Sequence, residues 1–324
     1  MTRVDPELAE AFAKSAADEA FLEALNDRLA PAETYPPVPE RFPTLHVVGA
    51  PRSGTTLATQ LIARHLDVGY INNLIAAFWK APVTGIRLSR KVLGDAAPAS
   101  LTSAFGRTDH VEDPHEFGYF WRRLLQSPEY RELGGAQADA VDWDRLARVL
   151  THMTIAYDRP VLFKSFQLAA VMDRVQAVLP STCFVWVRRD PVATARSILK
   201  LRERFLGDRS RWASIKPRDV AELARRDVWE QVAGQALSLD RSIADAADRV
   251  GRRNVLELSY EALCRRPAEA VGAVRALLAG AGAEVAWRDR SRPAPLDHRE
   301  PPDDADTERI REAVEALRPA YAPQ

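Results

Sequence analysis

Apolar residues concentrate in four short blocks: Thr44–Gly49 (TLHVVG), Val161–Phe163, Cys183–Val187 (CFVWV) and Asn254–Leu258 (NVLEL). None is much longer than a strand, and the CFVWV block is apolar without alternation, as a strand covered on both faces should be. After each block, apolar positions recur at helical spacing: Leu57–His65, Leu168–Leu179, the stretch opened by Asp190-Pro191, and Pro267–Leu278. Asp190 is the expected N-cap there, with Pro191 in the first helical turn. Strands separated by helices predict an α/β fold in three layers, with a central, mainly parallel sheet and a site at the strands' C-terminal ends. The stretches 66–150 and 201–250 then become large helical or irregular insertions covering that edge.

The ends follow other patterns. Residues 5–30 predict an acidic amphipathic helix that starts at Asp5-Pro6-Glu7, with Leu8, Phe12, Leu22, Leu25 and Leu29 as its apolar stripe. Pro31, Pro36, Pro37, Pro39 and Pro43 stop it and make a linker. The last 40 residues begin as a loop (RSRPAPLDHREPPDD) and close with a helix near Thr307–Leu317. The expected division is 1–43 as helix and linker, 44–285 as the main domain, and 286–324 as a loop and helix packing on it. Either end could carry a homodimer contact.

Composition narrows the function classes. Hydrophobic residues are 46% and charged residues 28%, the balance of a soluble globular chain. Lys+Arg and Asp+Glu are both 45, so the basic surplus of a general nucleic-acid binder is missing. No apolar run approaches the ~18 residues of a membrane span. The start, MTRVDPELAEAFAK, lacks the basic-then-apolar order of a secretory signal, so a cytoplasmic location is expected. Cys183 and Cys264 are the two cysteines, too few and too far apart for a disulfide framework or a Cys-based zinc site. No metal site is expected.

The strongest local signal is Gly49-Ala-Pro-Arg-Ser-Gly-Thr-Thr56, between a strand and a helix. Its glycines permit tight turns, and the N–H groups at the helix start attract an anion. This gives the α/β domain a P-loop. A nucleotide triphosphatase would carry Lys after the second Gly; here that position is Thr55, and the cation sits inside the loop as Arg52. Such a loop can grip a 5′-phosphate through its amides and the hydroxyls of Ser53, Thr55 and Thr56. In VRRDPVATARS, Arg189 follows a buried strand and Ser197 lies about two helical turns further on, so the two can close on another phosphate. Together the elements describe one nucleoside carrying two separated phosphate groups.

GAPRSGTTL with RRDPVATARS resembles the family of PAPS-dependent sulfotransferases, PAPS being 3′-phosphoadenosine 5′-phosphosulfate. The likeness runs over roughly residues 44–280 and is nearest to the bacterial, carbohydrate and tyrosylprotein branches. It implies that Arg52, Ser53, Gly54, Thr55 and Thr56 hold the 5′-phosphosulfate, and that Arg189 and Ser197 hold the 3′-phosphate. Ser259-Tyr260-Glu261-Ala262-Leu263 is similar to a Tyr-Glu-x-Leu segment that the family packs beside the nucleotide, which adds Tyr260. Lys164 lines up with a lysine that touches the transferring group. The implied reaction moves a sulfuryl group to a hydroxyl or amine of a small-molecule or carbohydrate acceptor, without a metal.

The base is less determined. The small-molecule branch has a His two residues after the strand-end lysine; Phe166 occupies that position. Other branches use a Glu from the region after the first motif, which points to Asp109–Trp121 (DHVEDPHEFGYFW). Glu116 is the first candidate and His115 the second, with Glu112 and His110 behind. Asn72 and Asn73 are candidate acceptor contacts, and Trp79, Trp121 and Trp212 candidate cleft aromatics. Residues 188–218 hold ten Arg/Lys against three Asp/Glu, which either steers an anion or coats a solvated helix. A P-loop small-molecule kinase and a non-catalytic nucleotide-binding relative remain as alternatives.

Overall fold

The structure, a computed structural model, describes residues 15–322 except 96, 99, 105, 128, 290, 292 and 299. Asp5, Leu8 and Phe12 of the expected first helix lie outside the described residues. Ser15 caps helix α1 (Ala16–Leu29), accepting from the Asp18 N–H. Of the expected leucine stripe, Leu22 packs on the main apolar cluster, but Leu22, Leu25 and Leu29 are only half-buried, and the one buried residue of the helix is Asn26. The Asn26 amide donates to the Ala77 and Leu22 carbonyls, and its Oδ1 accepts from the Lys80 N–H. Lys80 adds ion pairs with Glu23 and Asp27. The helix is therefore docked by a polar clamp.

Five parallel strands form one sheet: β1 (Thr44–Val48), β2 (Gly69–Tyr70), β3 (Val161–Lys164), β4 (Cys183–Arg188) and β5 (Val255–Ser259), in the order β2-β3-β1-β4-β5. β1 and β3 are buried throughout and β4 up to its last residue, as continuous apolar runs require. The sheet matches the expected fold, with β2 as an extra edge strand that the apolar pattern did not reveal. From β1 the chain builds β2 and β3 on one side, then crosses to β4 and β5 on the other. The reversal at β1 opens a crevice beyond the strands' C-terminal ends.

The helices that matter here are α2 (Thr55–His65), α3 (Pro82–Leu93), α4 (Gly118–Leu124), α5 (Trp143–Tyr157), α6 (Met172–Val178), α7 (Pro191–Leu206), α8 (Val228–Val250), α9 (Pro267–Gly280) and α10 (Ala305–Leu317). A 3-10 turn, Ala169–Val171, precedes α6, so the expected helix over 168–179 is split. Asp190 caps α7 through the Ala193 N–H and Pro191 opens it, as expected. One apolar cluster joins α2 and α9 to one face of the sheet, and another joins α5, α6 and part of α8 to the opposite face. α10 packs on α7 and α8 through Ile310, Val314 and Leu317. No helix among the described residues is long and apolar enough to cross a membrane.

Candidate active site

Each strand end delivers part of one crevice. β1 runs into the glycine loop, whose Gly54 has φ 102° and leads directly into α2. A side chain at 54 would stand 2.4 Å from the Tyr260 ring, so glycine is demanded by backbone and neighbour alike. Arg52 also has left-handed backbone, φ 69°, uncommon for a residue with a side chain. Its Nε donates to Ser197 Oγ in α7 at 3.0 Å. Beyond β4, Arg189 donates to the Arg52 carbonyl at 3.1 Å and stacks on Tyr260, 4.4 Å from the ring centre. Tyr260 follows directly on β5.

At the end of β3, Lys164 donates to Thr56 Oγ1 at 3.0 Å and to Glu116 Oε2 at 3.1 Å. Phe166 lies beneath it, 5.0 Å from Nζ to ring centre. These groups line one cavity of about 840 Å³ that holds Arg52, Gly54, Thr55, Thr56, His115, Glu116, Lys164, Arg189 and Tyr260 together. Burial, and then the neighbouring Arg189 charge, push the Arg52 guanidinium down to about 10. Two polar atoms here are buried with no hydrogen-bond partner among the described residues: Ser53 Oγ and Arg189 Nε. Arg189 belongs to the cavity lining, whereas Ser53 lies beneath the loop.

The other sequence candidates separate cleanly. Ser53 is buried beneath the loop, beside Gly49, and Ser197 stands behind Arg52. His115 lines the cavity, but its Nδ1 accepts the Phe117 N–H at 2.8 Å. His110 and Glu112 are not among the cavity's lining residues; their backbone carbonyls accept from Asn73 and Tyr70. Asn72 is a buried helix cap bonded to Ser89, whereas Asn73 reaches the cavity. Trp121 is core and not cleft: α4 turns Phe120, Trp121 and Leu124 inward and presents Tyr119 and Arg122 to the cavity.

Several lining residues carried no sequence signal. α1 contributes Glu19 and Leu22, with Glu19 accepting from the Tyr119 hydroxyl beside Trp79. Phe205 and Leu206 line another part of the cavity, with Trp212, which like Trp79 was expected as a cleft aromatic. Trp212 lies against Arg202, 4.5 Å from the ring centre, whose buried guanidinium donates to Gln231 and Gln235 and is pushed down to about 10 by burial. Part of the basic excess of 188–218 is ion-paired: Arg188 with Asp240 and Glu257, Arg196 with Asp304, and Arg218 with Glu132, although Arg188 and Arg218 are themselves exposed. Among the described residues no group of three His, Cys, Asp or Glu side chains could hold a metal ion.

Comparison with known proteins bears on this geometry. Residues 43–287 match the sequence model of the Sulfotransferase family. No curated protein matches the chain. Among solved structures it is similar to sulfotransferase STF9 from Mycobacterium avium, at 15% identity over 95% of this chain and 73% of that one, TM-score 0.47. It is similar to sulfotransferase STF1 from Mycobacterium tuberculosis H37Rv at 13% identity over 93% and 80%, TM-score 0.47. A third is the sulfotransferase domain of the Synechococcus PCC 7002 olefin synthase, at 17% identity over 76% of each chain, TM-score 0.43.

Proposed function

The chain belongs to the sulfotransferase family, and we propose that it moves the sulfuryl group of PAPS to a hydroxyl or amine of a small-molecule or carbohydrate acceptor, releasing 3′,5′-bisphosphoadenosine. The observation that carries this reading is the single cavity onto which Arg52, Arg189, Thr56, Lys164 and Glu116 all open. The buried, unpartnered Arg189 Nε, and an Arg189 charge close enough to disfavour that of Arg52, fit a ligand with two anionic ends.

In this reading the loop amides and the start of α2 hold the 5′-phosphate and Arg189 holds the 3′-phosphate, while Ser197, expected as a 3′-phosphate contact, instead positions Arg52. Arg52 and Lys164 face the charge that builds on the leaving phosphate during in-line transfer, a role a divalent ion has in many phosphoryl transfers. Glu116 takes the acceptor's proton, held in place by its ion pair with Lys164. His115 is second because its Nδ1 is engaged by the backbone. Phe166 under Lys164 and the aromatic lining at Phe205 and Trp212 keep water from the reacting groups and favour an acceptor with an apolar body.

The test is a thermal melt with 3′,5′-bisphosphoadenosine, in parallel with transfer from isotopically labelled PAPS to a panel of phenols, alcohols, amines and sugars. Stabilisation unaffected by EDTA, lost in Arg189→Ala, and labelled product with one acceptor class are expected. No stabilisation by the bisphosphate, with a response to ATP and magnesium, would overturn the reading in favour of a kinase.

A further inference from the structure

Between α3 and α4 the chain makes a tight turn in which Ala104 and Arg107 exchange both backbone hydrogen bonds, at 2.9 and 3.0 Å. Gly106 in that turn has φ 92° and lines the cavity together with Arg107. The heavy atoms nearest to where a Cβ on Gly106 would stand are Thr56 Oγ1 at 3.4 Å, Arg52 Nη1 at 3.8 Å and Lys164 Nζ at 3.9 Å. They come from three separate elements, the start of α2, the glycine loop and the end of β3, and each can donate a hydrogen bond.

The Cβ position lies one bond, about 1.5 Å, from the Gly106 Cα and is too close for any bound atom. Its three donor neighbours show that an anion they share lies just beyond it, in van der Waals contact with the Gly106 methylene. A methyl there moves that contact surface outward, into the anion. We infer that Gly106 is a specificity-determining residue: its missing side chain lets the sulfuryl group, held by Thr56, Arg52 and Lys164, approach the backbone more closely than any side chain at 106 would permit. This rests on the PAPS reading and deepens it by naming what separates the sulfated donor from the desulfated product.

The surroundings give the donors little freedom to adapt. Lys164 is tied to Thr56 and Glu116, and Arg52 to Ser197, by bonds of 3.0–3.1 Å. A methyl at 106 stands at contact distance from all three donors and takes the room their sulfuryl oxygens need. The bisphosphate has no group there and is indifferent to the methyl.

The experiment compares the full chain with Gly106→Ala for two ligands, the bisphosphate by calorimetry and PAPS by competition, together with labelled transfer. The expected result is bisphosphate affinity within about threefold of wild type, PAPS affinity down at least tenfold, and transfer down about 100-fold. Gly94→Ala controls for backbone strain: Gly94 also has positive φ, 62°, but faces open space, so that variant keeps both affinities and the rate. Gly106→Asn, whose side chain tolerates positive φ better, repeats the loss if the alanine variant folds poorly. Wild-type preference and rate in Gly106→Ala overturn the inference, and so does equal loss of both ligands. A wild-type chain that binds no bisphosphate at all refutes the PAPS reading itself, and the inference with it.

Discussion

Replacing Arg52 with methionine should stabilise the ligand-free protein while removing its response to nucleotide. Burial and the Arg189 charge hold the Arg52 guanidinium at about 10 against 12.5 for a free one. At 1.36 kcal/mol per unit, the fold disfavours that charge by roughly 3 kcal/mol. Arg52 retains some exposure, and methionine gives up the bond to Ser197, worth about 1 kcal/mol, so the net gain is about 1–2 kcal/mol. For a chain of this size that raises the melting temperature by roughly 1.5–3 °C. Wild type with bisphosphate at about 100 times its Kd gains about 2.7 kcal/mol, whereas Arg52→Met should gain almost nothing. Fluorimetric melts of both proteins, with and without ligand, read the two effects at once. A variant that melts lower than wild type and still responds to the bisphosphate would refute the argument on both counts.

Three further outcomes are expected. Glu116→Gln lowers transfer by about 10²–10⁴-fold while leaving the bisphosphate-induced melting shift intact, which single-turnover kinetics beside a melt will check. Asn26→Leu leaves the Lys80 N–H and Ala77 carbonyl without their partner, about 2 kcal/mol of local stability; α1 exchanges its amide hydrogens faster, and acceptor KM rises with bisphosphate Kd unchanged. Burial holds the His46 imidazole at about 3, below the ~6.5 of the unfolded chain, so between those values only the unfolded state takes up the proton. Stability from this group is full above pH 6.5 and falls on acidification, by about 2 kcal/mol at pH 5; denaturant melts of His46→Leu should show a shallower acid decline.

The parts of the fold legible in the sequence are those set by local patterning. Unbroken apolar runs became β1, β3 and β4, and Asp190-Pro191 opened α7, because strand burial and helix capping need only neighbouring residues. β2 escaped because it is two residues long and exists through tertiary contact. Gly69 donates to the Pro160 carbonyl, and the Tyr157 ring lies where a side chain on Gly69 would be. The docking of α1 was misread for a related reason: it depends on buried Asn26, a residue type that periodicity counts as polar and outward. The basic run 188–218 is partly surface, as expected, but its ion pairs were hidden because their partners, Asp240, Glu257, Asp304 and Glu132, lie elsewhere in the chain. Of the candidate site, the anion motifs and Glu116 were legible by residue type. Trp79 and Trp212, expected as cleft aromatics, do line the cavity; Gly106, Phe205 and Leu206 were not legible, because only the fold carries them there.

The relocation of the cation from the start of α2 into the loop has a mechanical consequence. A lysine at position 55 would reach outward from a helix and bind its anion independently of other elements. Arg52, on left-handed backbone, turns its guanidinium to Ser197 of α7, while its own carbonyl receives Arg189 from the end of β4. Arg189 stacks on Tyr260 at the end of β5, and the Tyr260 ring closes back against Gly54 of the loop. The four segments form a ring of contacts in which each is positioned by the next. Under the proposed reading, a phosphate on the loop and a phosphate on Arg189 would be coupled through bonds already made, since neither segment can shift without loosening the other. Such preorganisation lowers the ordering cost of a ligand spanning both ends, and it gives no comparable advantage to one that reaches only the loop. A guanidinium can maintain this coupling because its planar fork makes contacts in two directions while its charge stays fixed, which the single ammonium of a lysine does not reproduce.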